Sequence, residues 1–480
     1  MNPDMTGDMA ATMRADLAML MPELLLAGTA VIGLLLGSFL PRHRQWVVRA
    51  LAAAACVAAL VYTVAGWPDE AASVFSGTYA VDTATAAARV VVLVSVLLVL
   101  AMATPWIARH ARETEFVILL LLGALGAVML AGANDLLLLA AAYLLASVPL
   151  YALVAFAKDS PGTEASLKYY LLGALLGTVM LFGVMLLAGA GTGSDYTTLH
   201  HMAGMAPAAA AAVGVVAVLA GLLFKAGAVP GHFWVPDVTE GTIPSVGAIV
   251  TTIPKVGAVV ALYRLAAVPV AATGLGWSLL VAVLAAVTMT LGNLGAFFQT
   301  NVRRLLAYST ISQVGYLLMA VAVAERADLA LPSLLLYLAA YAVTNLGAFA
   351  VVCALPRART LDDFRGLRQR RPWLAVSLAV CLLGLVGTPP TGVFAGKLTV
   401  FTATADAGLW WLLVVAAVNT VASVFYYLRW LVPAMRAGDD LPPPGRISTL
   451  TAYVATAVSI VAGLAAGPAL AAVDGGLLRP

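Results

Sequence analysis

Three lysines could do chemistry because of where they lie. Lys225 stands at the deep end of a long apolar run, in "GLLFKAGAVPGHFWVPD", and Val229-Pro230 must break or kink any helix just beyond it. Lys255 directly follows Pro254 in "TTIPKVGAVVALYR". Lys397 follows Pro389-Pro390 and Gly392 in "GLVGTPPTGVFAGKLTVF". A lysine at the centre of a lipid-facing helix costs about 2.5–3.5 kcal/mol on insertion scales. Burial disfavours the ammonium form, so a buried lysine can be held near the point of losing its proton, whereas arginine stays protonated. Such a lysine takes a proton from one side and passes it to the other, which is the chemistry of a relay. Outside the tails, three of the five lysines fall inside apolar runs, against Arg89 alone of 21 arginines. Arg89 is near the end of its run and is expected to snorkel to the interface. A single membrane lysine can equally pair with an acid or snorkel. Three in separate helices, each beside a helix breaker, weigh towards a relay.

The elements that must hold these lysines are legible in composition. Of 480 residues, 62% are hydrophobic and 10% charged, against about 25% charged in ordinary soluble domains. This is a chain dissolved in lipid. Its net charge of +3 gives no case for nucleic acid. Cys56, Cys353 and Cys381 are isolated, without metal spacing, and read as small core residues. No secretory signal peptide is expected in the first residues, which carry acids and one arginine. Fourteen apolar runs are long enough to span a bilayer: roughly 17–40, 47–66, 84–106, 115–133, 136–157, 166–190, 207–228, 243–266, 273–297, 305–324, 329–355, 373–404, 408–431 and 448–472. Lipid leaves no water for exposed backbone groups, so each must be largely helical. No linker could hold a soluble domain, and residues 1–480 read as one all-α transmembrane domain.

Basic residues orient the domain. The odd-numbered connections and the helix ends beside them hold Arg42, Arg44 and Arg49; Arg109 and Arg112; Lys158 and Lys168; Arg303 and Arg304; six arginines from Arg357 to Arg371; and Arg429, Arg436 and Arg446. The seventh connection has no base. The even connections hold only Arg264 and Arg326. Odd connections are therefore expected in the cytoplasm and both termini outside. The seventh and twelfth spans, five apart, are both interrupted by Pro and Gly. Paired interrupted spans in corresponding positions point to inverted-repeat transporters with a site at the midplane. Helices 4–8 and 9–13 would be the repeats.

The same residues carry a family resemblance. "FKAGAVPGHFWVPDVTEGTIPSVGAIVTTIPK", from Phe224 to Lys255, resembles the seventh- and eighth-helix signature of the antiporter-like membrane subunits of respiratory complex I. "TEASLKYYLLGALLGTVMLFG", "NVRRLLAYSTISQVGYLLM", "YAVTNLGAFAVV" and "GLVGTPPTGVFAGKLTVF" resemble other signatures of that family. The match runs over nearly the whole chain. Within the family, the Pro-Lys pair at Lys255, together with Lys397 and the short C-terminus, is similar to the N branch.

The resemblance implies a proton-translocating membrane-arm subunit of a bacterial NADH–quinone oxidoreductase, in the inner or plasma membrane. Lys225 would be the entry-side carrier, Lys255 the connecting residue and Lys397 the exit-side carrier. It implies partners from the M branch, the small subunits K and J, and chains that bind NADH and quinone. No cofactor is expected here, since no Gly-rich phosphate loop, flavin motif or cysteine cluster appears; FMN and iron–sulfur clusters would sit on partners. One departure matters. The family's fifth-helix glutamate, which pairs with the seventh-helix lysine, falls on Leu144 in "AAAYLLASVPLY". A carboxylate from elsewhere reaches in, or Lys225 works unpaired, or proton entry is impaired. Gln313 also stands where some relatives have histidine. His232 and Glu240 fit cap and turn partners as well as proton carriers. His200 and His201 read as solvated loop residues, and the arginines from Arg357 to Arg371 chiefly as the orientation signal. Two other readings stay open: a subunit of a multisubunit sodium/proton antiporter, and a non-pumping structural subunit.

Overall fold

The structure, a computed structural model, describes residues 12–108, 110–202, 207–274, 276–438 and 442–479. Arg109, one of the orienting bases, lies outside the described residues.

The chain is almost entirely helical. The first spans are α1 (Met21–Phe39), α2 (Trp46–Ala65), α3 (Thr83–Ile107) and α4 (Glu113–Gly132). Between α2 and α3 lies a small antiparallel hairpin, β1 (Ala72–Val74) and β2 (Tyr79–Val81). There follow α5 (Leu136–Leu145), α6 (Val148–Val154), α7 (Ser160–Gly191), the short α8 (Tyr196–Met202), α9 (Ala208–Ala226), α10 (Trp234–Gly241) and α11 (Pro244–Ala267). The remaining helices are α12 (Trp277–Phe297), α13 (Val302–Ala322), α14 (Ala330–Ala354), α15 (Leu367–Arg370), α16 (Pro372–Val386), α17 (Gly392–Asp406), α18 (Trp410–Met435), α19 (Arg446–Leu464) and α20 (Ala466–Ala472). Among the described residues, with α5 and α6 taken together, 13 are long and apolar enough to cross a membrane. The pair α16 and α17 makes the fourteenth, the twelfth in order, so the spans read from the sequence are all present.

Short polar side chains fix where several helices begin. Asp82 caps α3 by accepting from the Thr85 amide, Asp135 caps α5, Asp159 caps α7 and Asn301 caps α13. Each satisfies amides that a helix start leaves without partners. The interruptions are equally local. α9 ends on Gly227 and α16 on Gly387, at φ of +78° and +94°, a left-handed turn that glycine enters without penalty. A third interruption, not expected from the sequence, divides the fifth span at Ala146-Ser147, just before Pro149. Pro149 has no N–H to continue the ladder.

α11, α13 and α14 form the centre and are almost wholly buried. α1, α2, α7, α18 and α19 form much of the rim and present bare apolar side chains such as Val61, Leu175 and Val421. α12 packs closely on α13: a Cβ on Gly292 would stand 2.5 Å from the Ser312 amide.

Two basic residues are placed differently from the sequence reading. Arg89 does not snorkel. It is buried, and its Nε and Nη2 donate to the two oxygens of Glu23 at 2.7 and 2.9 Å, while Tyr79 donates to the same carboxylate. Arg264, counted as a base at an even connection, is fully buried on Asp82 in a two-pronged pair of 2.7 and 2.9 Å. Asp82 also accepts from the Leu478 amide, which ties the C-terminal tail to this pair. The carboxylates are 66 and 182 positions away in sequence, and only the packing of distant spans brings them in.

Candidate functional site

The three lysines are buried, and among the described residues none meets a carboxylate. Each ends on an oxygen that an interrupted or proline-containing helix presents, and each lies against an aromatic ring. The sites are built alike from different local chemistry.

Lys225 closes α9. Its Nζ donates to Ser147 Oγ at 2.7 Å, and Ser147 in turn donates to the Tyr143 carbonyl at 2.6 Å. Ser147 lies at the break between α5 and α6. The rings of Tyr143 and Tyr169 stand 5.6 and 5.9 Å from the nitrogen, within reach of cation–π attraction. Leu144 is not part of this cage: it is 47% exposed on the outside of the chain, whereas Tyr143 and Ser147 are buried.

Lys255 sits mid-way along α11, one residue after Pro254. Proline cannot donate to the carbonyl four residues before it, so the Val250 oxygen is left free. Lys255 Nζ takes it, at 2.6 Å. The indole of Trp234 covers the nitrogen at 4.4 Å. A Cβ on Gly227 would come within 3.5 Å of Lys255 Nζ, so the break that ends α9 abuts the second lysine. Tyr169 and Trp234 stack at 4.2 Å; one ring faces Lys225 and the other Lys255.

Lys397 lies in the second turn of α17 and reaches back across the break. Its Nζ donates to the Val386 carbonyl at 2.9 Å and more weakly to Leu385 at 3.4 Å. These carbonyls close α16, where the helix dipole favours a cation. Tyr316 covers the nitrogen at 4.1 Å.

Polar side chains join the second lysine to the third. Tyr341 donates to the Thr251 carbonyl at 2.7 Å, one residue from Val250, and contacts Thr310 at 3.1 Å. Asn345 donates to the hydroxyls of Thr251 and Thr252. One turn along α14, Tyr337 donates to Gln313 Oε1, and Gln313 Nε2 donates at 2.8 Å to the Leu385 carbonyl that Lys397 also touches. Gln313 is thus the bridging amide between Tyr337 and the third lysine. Ser147, Tyr169, Gln313, Tyr341 and Asn345 all lie within the sequence signatures, but the signatures alone do not say what their side chains meet. Tyr337 lies outside the quoted stretches and carried no signal.

The other singled-out residues lie elsewhere. His232 is buried in the break against Phe233. Glu240 accepts from Arg304 and Asn301, both at 3.0 Å, at the end of the fold that carries the arginine-rich connections. His200 is not simply solvated: its Nδ1 lies 2.9 Å from the Val268 carbonyl.

An amine can donate to these neutral oxygens whether or not it holds the extra proton. The arrangement therefore holds each lysine in place in both states, which a fixed ion pair would not do equally.

The sequence profile described as NADH:quinone oxidoreductase/Mrp antiporter, transmembrane, matches residues 133–423. NADH-quinone oxidoreductase subunit N 1 of Streptomyces griseus is 54% identical over 96% of this chain and 98% of its own length. Subunit N from Mycobacterium sp. (strain JLS) is 48% identical over 93% and 96%. A chain of respiratory complex I from Thermus thermophilus with bound aureothin is 32% identical, covers 95% of this chain and all of its own, and superposes with a TM-score of 0.82.

Proposed function

The chain belongs to the NADH:quinone oxidoreductase/Mrp antiporter family of membrane subunits, and we propose that it is the N-type subunit of a bacterial NADH–quinone oxidoreductase that carries protons through Lys225, Lys255 and Lys397. NADH oxidation and quinone reduction, with FMN and iron–sulfur clusters, belong to partner chains. The neighbours would be an M-type antiporter-like subunit and the small K and J subunits. The arginine-rich connections face the cytoplasm. Counted as membrane spans, the fourth to eighth and the ninth to thirteenth act as inverted repeats, the first receiving a proton at Lys225 on the seventh span and the second releasing it from Lys397 on the twelfth.

The observation that carries this reading is the set of three buried lysines, two held at helix breaks and one beside a proline inside a helix, with Tyr169 and Trp234 between the first two and a hydroxyl and amide series between the second and third. Ionisable groups inside a membrane are costly and are kept for transport. A helix bundle that only filled space would be better served by apolar side chains. That no carboxylate among the described residues meets Lys225 favours a second reading for the first half, in which that half is structural. The two divide on Lys225→Ala in the intact complex, reconstituted in vesicles. The relay reading expects assembly with slowed proton translocation; parental translocation would leave the first half structural. Recovery of flavin and iron–sulfur subunits with this chain tests the assembly, and recovery of an antiporter complex without them would oppose it.

A further inference from the structure

α10 is an eight-residue rod about 12 Å long, set between the break at residues 227–233 and the turn at Thr242. Its first residue, Trp234, covers Lys255 and donates through Nε1 to the Phe224 carbonyl at 3.0 Å. Asp237 in its first turn and Glu240 next to its last residue are one turn apart and so on one face. Both carboxylates close on the same nitrogen of Arg304, at 2.8 and 3.0 Å. Arg304 lies in the first turn of α13, an element of the opposite half of the fold. Asp237 is also held from the other side by Lys168 of α7 at 3.0 Å, and Lys168 has Glu164 as a second partner at 2.9 Å.

We infer that Arg304 is a positioning residue: by gripping Asp237 and Glu240 it fixes α10 and thereby keeps the Trp234 indole on Lys255. Three features support this over a decorative surface cluster. One guanidinium holds two carboxylates of a single short helix, so its loss weakens both holds together and leaves Asp237 only Lys168 and Glu240 only the Asn301 amide. The chain entering α10 is a glycine- and proline-containing break, so the rod has no helical continuation on that side to hold it. A cavity of about 440 Å³, lined by Lys168, Asp237, Glu240 and Arg304, lies beside the cluster and leaves room for the rod to move. The pairs are about one-third exposed, and exposed pairs are individually weak. This latch is therefore releasable. Lys168 can fall back on Glu164 when Asp237 leaves it, so that release strands no lysine.

The positional claim is independent of proton transfer; only its consequence for pumping rests on the relay reading. Amide hydrogen exchange in the intact complex separates the two. Arg304→Gln is expected to raise exchange over residues 228–241 by about tenfold while α12 is unchanged, and Arg304→Lys, which keeps a cation between the carboxylates, to recover most of the protection. Unchanged exchange over 228–241 overturns the inference, as does a rise spread equally over α12. If Arg304→Gln fails to assemble, Glu240→Gln removes one arm of the grip and is read by the same two outcomes at smaller amplitude. Raised exchange in α10 with parental pumping would uphold the latch and count against the relay.

Discussion

Lys225 Nζ lies 2.7 Å from Ser147 Oγ, and that hydroxyl spends its own proton on the Tyr143 carbonyl. Ser147 is therefore a pure acceptor towards the lysine, presented by the break in the fifth span. A hydrogen bond to a charged group is worth about 1.5–3 kcal/mol, so Ser147→Ala is expected to slow proton translocation about tenfold in reconstituted vesicles. Ser147→Thr keeps the hydroxyl and is expected to retain most of the rate. Equal rates in the alanine variant and the parent would remove Ser147 from the site.

Position 144 gives a contrasting expectation. The family resemblance implies an acid there, yet Leu144 faces outwards and is 47% exposed. Leu144→Glu is expected to leave the pH dependence of pumping where it is, because the new carboxylate points away from the Lys225 cage. A shift in that dependence which vanishes when Lys225→Ala is added would mean that the glutamate turns inward to the lysine.

The buried pair of Arg264 and Asp82 is expected to be a point of fragility. Asp82→Asn leaves a guanidinium buried without its counter-charge, a loss of about 3–5 kcal/mol in comparable sites. It also weakens the tie to the Leu478 amide. Thermal inactivation of the assembled complex should come at lower temperature for Asp82→Asn than for the parent. The double variant Asp82→Leu/Arg264→Met, which removes both charges, should lie nearer the parent; a double variant no better than the single would show that the charge imbalance is not the cause.

Orientation can be read at Asp363, which is exposed in the arginine-rich connection and accepts from the amides of Arg359 and Thr360. A cysteine there should react with an impermeant reagent only from the cytoplasmic side. Labelling from outside would reverse the assignment.

The spans and the three lysines were legible because lipid imposes a simple rule: about twenty apolar residues form a helix, and any charge among them stands out. The breaks beside Lys225 and Lys397 were legible from Pro and Gly. What escaped was whatever depends on distant spans meeting. Glu23 finds Arg89 and Asp82 finds Arg264 only when the helices pack, so an arginine read as snorkelling or as a loop base turned out to be a buried ion pair. The Pro149 break was visible as a proline, but its consequence, Ser147 offered to Lys225, needed the position of α9. The free carbonyl of Val250 follows from Pro254 by backbone geometry alone, and its capture by Lys255 is the one site contact that the local sequence could have supplied.

The central claim, that this chain moves protons through buried lysines, is tested most directly at Lys397, whose nitrogen meets carbonyl oxygens and a tyrosine ring and, among the described residues, no carboxylate. Arginine there keeps the positive charge and can still donate to the Val386 carbonyl, but it does not give up its proton. The measurement is the rate of proton translocation by the reconstituted complex carrying Lys397→Arg, with assembly checked by subunit content. The relay predicts full assembly with translocation well below the parent and coupled turnover falling with it; an assembled Lys397→Arg complex that pumps at the parental rate would contradict it.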